Sequence, residues 1–503
     1  MYLRAGVFSL GLLLVSRVLG LARESAQAAA FGASGLADVV IVMFTLPDLL
    51  VGVLISGALS YVLLPVWARQ HQTGHAIHHK KLAFYLGLGA LAVGALLWVF
   101  KGTVVQALAP GLRGDMRALS SASIGWSAAV LPLAALAAVW ATRLQHERDF
   151  VGMYAGNVLV NLMLVVGLVG VGNAVWSARG TPAEVVTLLG GCLVMAMGLR
   201  LLWLGWRMSN FRPGFTTAPL DRAASPTMPG AGVWLWAALA SSLALLLPLV
   251  GRSVVSQLGE GALTSFNYAW KLVELPLVLA LQLVASLAFP ALAATQPQSP
   301  ERLQALQVAF ALAWALACAA AAAVATFSLP LSTALFGWGS MTPASLQVIA
   351  QWSAIGALSL LPQALLAVLL TVMAITMRMR LAVLVYACVL AGLVVFGWAG
   401  SVQGAHMMWA INVGLALAAA TLLVTERKDT ARALPWAAWL VPLAVAGALV
   451  AIGPVWASAS LPVALLMAAA YGFLVLASGV AASGTLRRLV LLKSGRLQRD
   501  AGV

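Results

Sequence analysis

Apolar runs of 18 or more residues recur along this chain from end to end, and each is long enough to cross a bilayer as a helix. In lipid every backbone polar group must be satisfied within the protein, so only helices and closed barrels can span it. A barrel would show short segments of alternating polarity, and the sequence has none. The runs therefore predict an all-α polytopic membrane protein. Composition agrees, since 62% of the 503 residues are hydrophobic and 9% are charged, against about 25% charged in a soluble domain.

Fourteen apolar segments are expected, near 5–30, 36–68, 82–100, 120–142, 151–172, 184–206, 232–251, 262–292, 303–330, 345–376, 380–399, 403–424, 434–452 and 461–483. The second, eighth and tenth exceed the length of one span, so they should tilt, kink or protrude. Arg17 and Arg23 separate the first run from Ala26-Gln27-Ala28, which argues for a retained first helix rather than a cleaved leader.

Orientation follows from Lys and Arg in the loops. With the N-terminus in the cytoplasm, the opposite side holds Lys101, Arg113, Arg117, Arg179 and Arg252, and Arg17, Arg23, Arg200 and Lys271 fall within spans. The remaining 20 of the 29 basic residues lie on the cytoplasmic side. Both termini are thus expected in the cytoplasm. The net charge of +15 is read mainly as a topology signal, not as a nucleic-acid footprint.

The longest polar connection, 207–231, divides six helices (1–206) from the next six (232–424) and leaves two helices and a basic tail (425–503). The halves echo each other. Pro47 closes VMFTLP and Pro276 closes KLVELP; Gly32 and Gly261 each stand fifteen residues before those prolines; Pro65 and Pro290 follow. Two-lobed transporters carry such internal symmetry, with substrate at midplane depth between the repeats.

A few charges stand inside the apolar segments. An ionised group there costs roughly 2.5–3.5 kcal/mol on insertion scales and marks a functional position by default. At 1.5 Å per residue, Arg17 lies about 18 Å into the first span, near the midplane. Arg23 lies near its outer end, beside Asp38 at the start of the second. Lys271 is again at mid-depth, and Glu274, three residues on, shares its helix face and can pair with it. Pro47 and Pro276 interrupt the helix beside these charges and are candidate hinges. An interfacial, snorkelling role is the alternative reading for Arg23, Glu24 and Asp38; Arg200 reads as a charge that snorkels to the nearer surface, and Asp48 has no assigned role. The three cysteines, each alone in an apolar run, read as packing residues. No cofactor motif and no firm metal site is seen: no P-loop, G-x-S-x-G or H-E-x-x-H occurs. A cavity with excess arginine and lysine suits an anion, arginine gripping phosphate through several donors. Within a membrane that ligand is expected to be amphiphilic, a phosphate-bearing head on a lipid tail.

The stretches SRVLGLARE, LAD, LPDLL, ISGALS and LPVWA resemble the start of the MurJ/MviN family of lipid II flippases. FNYAWKLVELP resembles that family's eighth helix, and LFGWGSMTPASLQVIAQW its connection from the ninth to the tenth. The resemblance covers essentially the whole chain. It implies the fold of the multidrug/oligosaccharidyl-lipid/polysaccharide exporters, alternating access, and a substrate-binding set matching Arg17, Arg23, Asp38 and Glu274, with Lys271 in the family's cationic position. It also implies that the two additional helices form a groove for the lipid tail. The chain departs from the pattern at Trp270-Lys271, where the family usually has Asp-Arg. Other departures are Val51-Gly52 in place of an Arg-Arg pair and Ser56 in place of an acid. The expected function is a flippase of the bacterial inner membrane for a polyprenyl-diphosphate-linked saccharide, most simply lipid II for peptidoglycan. The departures leave open another lipid-linked glycan, of exopolysaccharide or O-antigen type. A cation-coupled drug exporter would need a negatively lined cavity. A membrane glycosyltransferase would need catalytic groups in sizeable outer loops, and 331–344 has no titratable residue; the chain is not expected to be an enzyme.

Overall fold

The computed structural model describes residues 2–54, 59, 72–147, 149–172, 180–210, 231–294, 299–375, 378–400, 402–426, 436–453, 456 and 458–493. The described residues form helices and connecting turns, with no strand among them. In chain order the helices are α1 (Tyr2–Phe31), α2 (Gly35–Val53), α3 (Gln72–Val99), α4 (Lys101–Leu108), α5 (Gly114–His146), α6 (Phe150–Gly172), α7 (Pro182–Ser209), α8 (Ala231–Val255) and α9 (Ala262–Ala294). They continue as α10 (Pro300–Phe336), α11 (Pro343–Gly356), α12 (Leu360–Ile375), α13 (Met379–Trp398), α14 (Gly404–Thr425), α15 (Trp436–Ile452), α16 (Leu461–Ala482) and α17 (Gly484–Lys493). Ten helices among the described residues are long and apolar enough to cross a membrane, α11 and α12 being joined as one. The chain is a multi-pass membrane protein. Most of the 207–231 linker, Pro65, and the basic tail beyond Lys493 lie outside the described residues.

Two of the long segments break beside a proline, while α9 runs unbroken through Pro276. A proline removes one helix hydrogen bond and crowds the carbonyl four residues earlier. In the segment expected at 345–376, Pro362 meets Leu358, and the helix gives way to a 3₁₀ turn at Ala357–Ser359 between α11 and α12. In α10 the break is at Phe327, with φ −109° and ψ 27°, three residues before Pro330.

Packing divides the chain into two compact units. The first is Met1–Thr264 with Trp338–Thr342, and the second is Ser265–Gly337 with Pro343–Val503. In the first, α5 is the central helix, packed by α2, α3, α4 and α7, while α1 lies on α6. Ser127 of α5 donates to the Met43 carbonyl of α2 at 2.6 Å, the kind of close polar contact that small residues permit between membrane helices. Helix α8 belongs to this unit although it follows the linker. Ser253 donates to the Ala107 carbonyl at 2.6 Å, Ser256 accepts from the Gly111 amide at 3.1 Å, and Arg252 approaches Thr45 at 3.5 Å. In the second unit, α10 is the hub, packed by α11, α12, α15 and α16. Its buried face is rich in alanine, which lets neighbouring helices approach closely.

Gly32 and Gly261, the glycines fifteen residues before Pro47 and Pro276, both adopt positive φ, 60° and 78°. Each stands just before the helix that carries its proline, where a left-handed turn needs glycine.

Candidate functional site

The α1–α2 hairpin turns at Gly32-Ala33-Ser34, and Ser34 caps α2 by accepting from the Ala37 amide at 3.3 Å. The two antiparallel helices then bring Arg23 and Asp48 to one level. Arg23 Nη2 donates to Glu24 Oε1 at 2.9 Å and to Asp48 Oδ2 at 3.1 Å. Its guanidinium lies 5.7 Å from the centre of the Phe44 ring. Arg23 is largely buried, whereas Asp48 is about half exposed. A buried cation flanked by two acids and an aromatic face has its charge compensated. Asp48, without an assigned role in the sequence, is therefore the long-range partner of Arg23. Arg17 is exposed on α1, next to Ser16, whose carbonyl accepts from Asn161 of α6 at 3.3 Å.

Asp38 does not join Arg23. It is 1% exposed and accepts from the Gly261 amide at 2.8 Å, the Thr264 amide at 2.8 Å and the Thr264 hydroxyl at 2.6 Å. The first amides of a helix lack intrahelical acceptors, so Asp38 acts as a cap supplied from elsewhere in the chain to the start of α9. Gly261 fits closely there: a Cβ would meet the Ala33 carbonyl oxygen at 2.3 Å. The segment at Ser340 closes the same corner of the first unit. Its amide donates to the Ala29 carbonyl at 2.9 Å and its hydroxyl to the Ala30 carbonyl at 3.2 Å, at the end of α1. Those carbonyls would otherwise be the unpaired acceptors of a helix terminus.

In the second unit, Lys271 Nζ and Glu274 Oε2 form an ion pair at 2.8 Å, with side chains 32% and 37% exposed. This is the pairing expected from their i, i+3 spacing. Leu272 and Val273 between them are buried, so the pair lies on the opposite, accessible side of α9. Pro47 and Pro276 both lie inside helices, α2 and α9.

A second expectation is corrected. Arg200 does not snorkel: it is 3% exposed. On α7 the buried positions run Val186, Leu189, Leu193, Met197, Arg200 and Leu204, a stripe of three- and four-residue steps that marks one helix face. Arg200 occupies that face and packs beside Gly156 of α6 rather than at the surface. The stripe is readable in the sequence.

Comparison with known proteins follows the same lines. A family model described as lipid II flippase MurJ matches residues 27–478. A lipid II flippase MurJ of Burkholderia cenocepacia is 27% identical over 361 residues, 68% of this chain and 67% of that one. A probable lipid II flippase MurJ of Rhizobium meliloti is 26% identical over 364 residues, 70% of this chain and 66% of that one. Among solved structures, a lipid II flippase MurJ in an inward closed conformation superposes with TM-score 0.75 at 14% identity, covering 98% of this chain and 99% of that one. An inward-facing MATE multidrug resistance transporter of the MOP superfamily superposes with TM-score 0.62 at 14% identity, over 83% and 95%. At such identities these two structures show a shared fold.

Proposed function

We propose that this chain, which belongs to the lipid II flippase MurJ family, carries a polyprenyl-diphosphate-linked saccharide across the bacterial inner membrane, and that the saccharide lipid is lipid II for peptidoglycan. The observation that carries the reading is the family match over residues 27–478 joined to cations inside the spans. Arg17, Arg23 and Lys271 are the groups assigned to the diphosphate, with Glu274 holding Lys271 in place. Asp38 is assigned to the same functional set through its cap on α9, which orders the start of the helix that carries Lys271. The moving bodies in this reading are the lobes 1–206 and 232–424, joined by the 207–231 linker, with 425–503 attached to the second. Pro47 and Pro276 are their hinges, and both termini lie in the cytoplasm.

The related drug exporters offer a second reading, supported by the fold they share. The charge sign favours the first, because a cationic drug needs acids and the mid-depth groups Arg17 and Lys271 are basic. The test is rescue of bacteria depleted of their own lipid II flippase, scored by outward exposure of lipid II. Growth with exposure restored supports the assignment. A well-expressed chain that restores neither turns the assignment to another lipid-linked glycan, of exopolysaccharide or O-antigen type.

A further inference from the structure

Arg200 stands in an environment that an arginine rarely tolerates. It lies nine residues inside the end of α7, about 14 Å from that end at 1.5 Å per residue. It is 3% exposed, and its Nε is buried without a hydrogen-bond partner. Among the described residues it makes no hydrogen bond and no ion pair; the one acid whose charge attracts it is Asp48. Asp48 is already bonded to Arg23. Arginine keeps its proton in proteins, so Arg200 does not escape the cost of burial by becoming neutral. Two arginines thus draw on Asp48, and only Arg23 has a second acid, Glu24.

The surroundings fit a built position. Gly156 of α6 leaves room for the side chain, since a Cβ there would touch Arg200 Cγ at 3.5 Å. Ala196 and Met197, one turn before Arg200, share a packed cluster with Phe44 and Val51 of α2. Arg200 continues the buried face of α7 that carries Ala196 and Met197, one turn beyond them, and Asp48 of α2 is the acid whose field reaches it. A surface role is excluded by its burial, and a purely structural role would supply the donors with acceptors.

We propose that Arg200 belongs to the head-group site with Arg23 and Asp48, and that its guanidinium binds the diphosphate of the translocated lipid. The inference rests on the lipid-diphosphate reading above and adds one residue to it. A planar guanidinium presents donors in a fork that matches phosphate oxygens, and a diphosphate supplies the acceptors that the protein does not.

The full-length protein in detergent micelles is tested for binding of a polyprenyl diphosphate and of the polyprenol of the same chain length. The wild type should prefer the diphosphate. Arg200→Met should weaken diphosphate binding about tenfold to a hundredfold, the range of a lost charge-assisted contact, and leave polyprenol binding unchanged. It should also raise the unfolding temperature of the ligand-free protein, because an uncompensated buried cation is removed; a structural arginine would move it the other way. Adding Val51→Arg to Arg200→Met returns a cation three residues from Asp48 on α2 and should recover diphosphate binding. Wild-type affinity in Arg200→Met overturns the proposal. So does a destabilised Arg200→Met whose binding Val51→Arg does not recover. If the wild type itself fails to distinguish diphosphate from polyprenol, the substrate reading falls first and this proposal with it.

Discussion

At the scale of single residues, the intramembrane cations differ in how far the protein compensates them. Arg23 is held by two acids and a ring, whereas Arg17 is exposed on its helix. Arg17→Ala should abolish lipid II exposure in the rescue strain at an unchanged protein level, because removing a charge eases insertion. Full exposure by the alanine variant would take Arg17 out of the site. Lys271 and Glu274 act as a unit, since each neutralises the other on a partly accessible face. Lys271→Arg should keep transport and Lys271→Ala should lose it, because the alanine removes the cation assigned to the diphosphate. A Lys271→Ala, Glu274→Gln double variant with full transport would reduce the pair to a structural one. Val51→Arg in the wild-type background adds a cation near Asp48 and should raise apparent affinity for lipid II by about 1.5–3 kcal/mol. Titration of lipid II against both proteins checks this; an unimproved affinity would mean that Val51 does not report on the substrate.

At the scale of elements, the start of α9 depends on a carboxylate more than 220 residues earlier in the chain. Asp38→Ala removes the acceptor that three bonds share, at about 1–3 kcal/mol for each buried group that stays unsatisfied, and Asp38→Asn keeps one carbonyl acceptor. Unfolding temperatures in detergent should therefore fall in the order wild type, Asp38→Asn, Asp38→Ala. An unchanged temperature for the alanine variant would show that the cap contributes nothing. Gly261→Ala meets both a positive φ and the Ala33 carbonyl, so it should destabilise by about 1–3 kcal/mol. The same substitution at Gly447, whose Cβ would meet nothing within 4 Å, is the control. Prolines act on the same scale: Pro362 and Pro330 sit beside the breaks at Ala357–Ser359 and Phe327.

At the scale of the whole molecule, the chain is a multi-pass member of a flippase family. The distribution of Lys and Arg predicts that both ends face the cytoplasm. A cysteine introduced at Val503, with Cys192, Cys318 and Cys388 replaced by serine, should react with an impermeant thiol reagent only after the inner membrane is opened. Labelling in intact spheroplasts would reverse the orientation and, with it, the side from which the lipid is loaded.

The sequence by itself determined the fold class, because a run of some twenty apolar residues has few solutions in a bilayer other than a helix. It also determined the Lys271–Glu274 pair, because i and i+3 on one helix meet whatever else the chain does. The positive-φ glycines ahead of Pro47 and Pro276 were legible as a repeat for the same local reason. What faces each helix was decided only by tertiary structure. The donors to Asp38 come from the start of α9, and the partner of Arg23 from the far side of a hairpin. Helix α8 joins the unit that precedes the linker through contacts with α2 and α4. Arg200 stands between these cases: its spacing places it on the inward stripe of α7, while its burial required α6 to be in position. Helical periodicity encodes which residues share a face and at what depth. It carries no record of which distant segment that face will meet, since long-range packing selects the partner after the helices have formed.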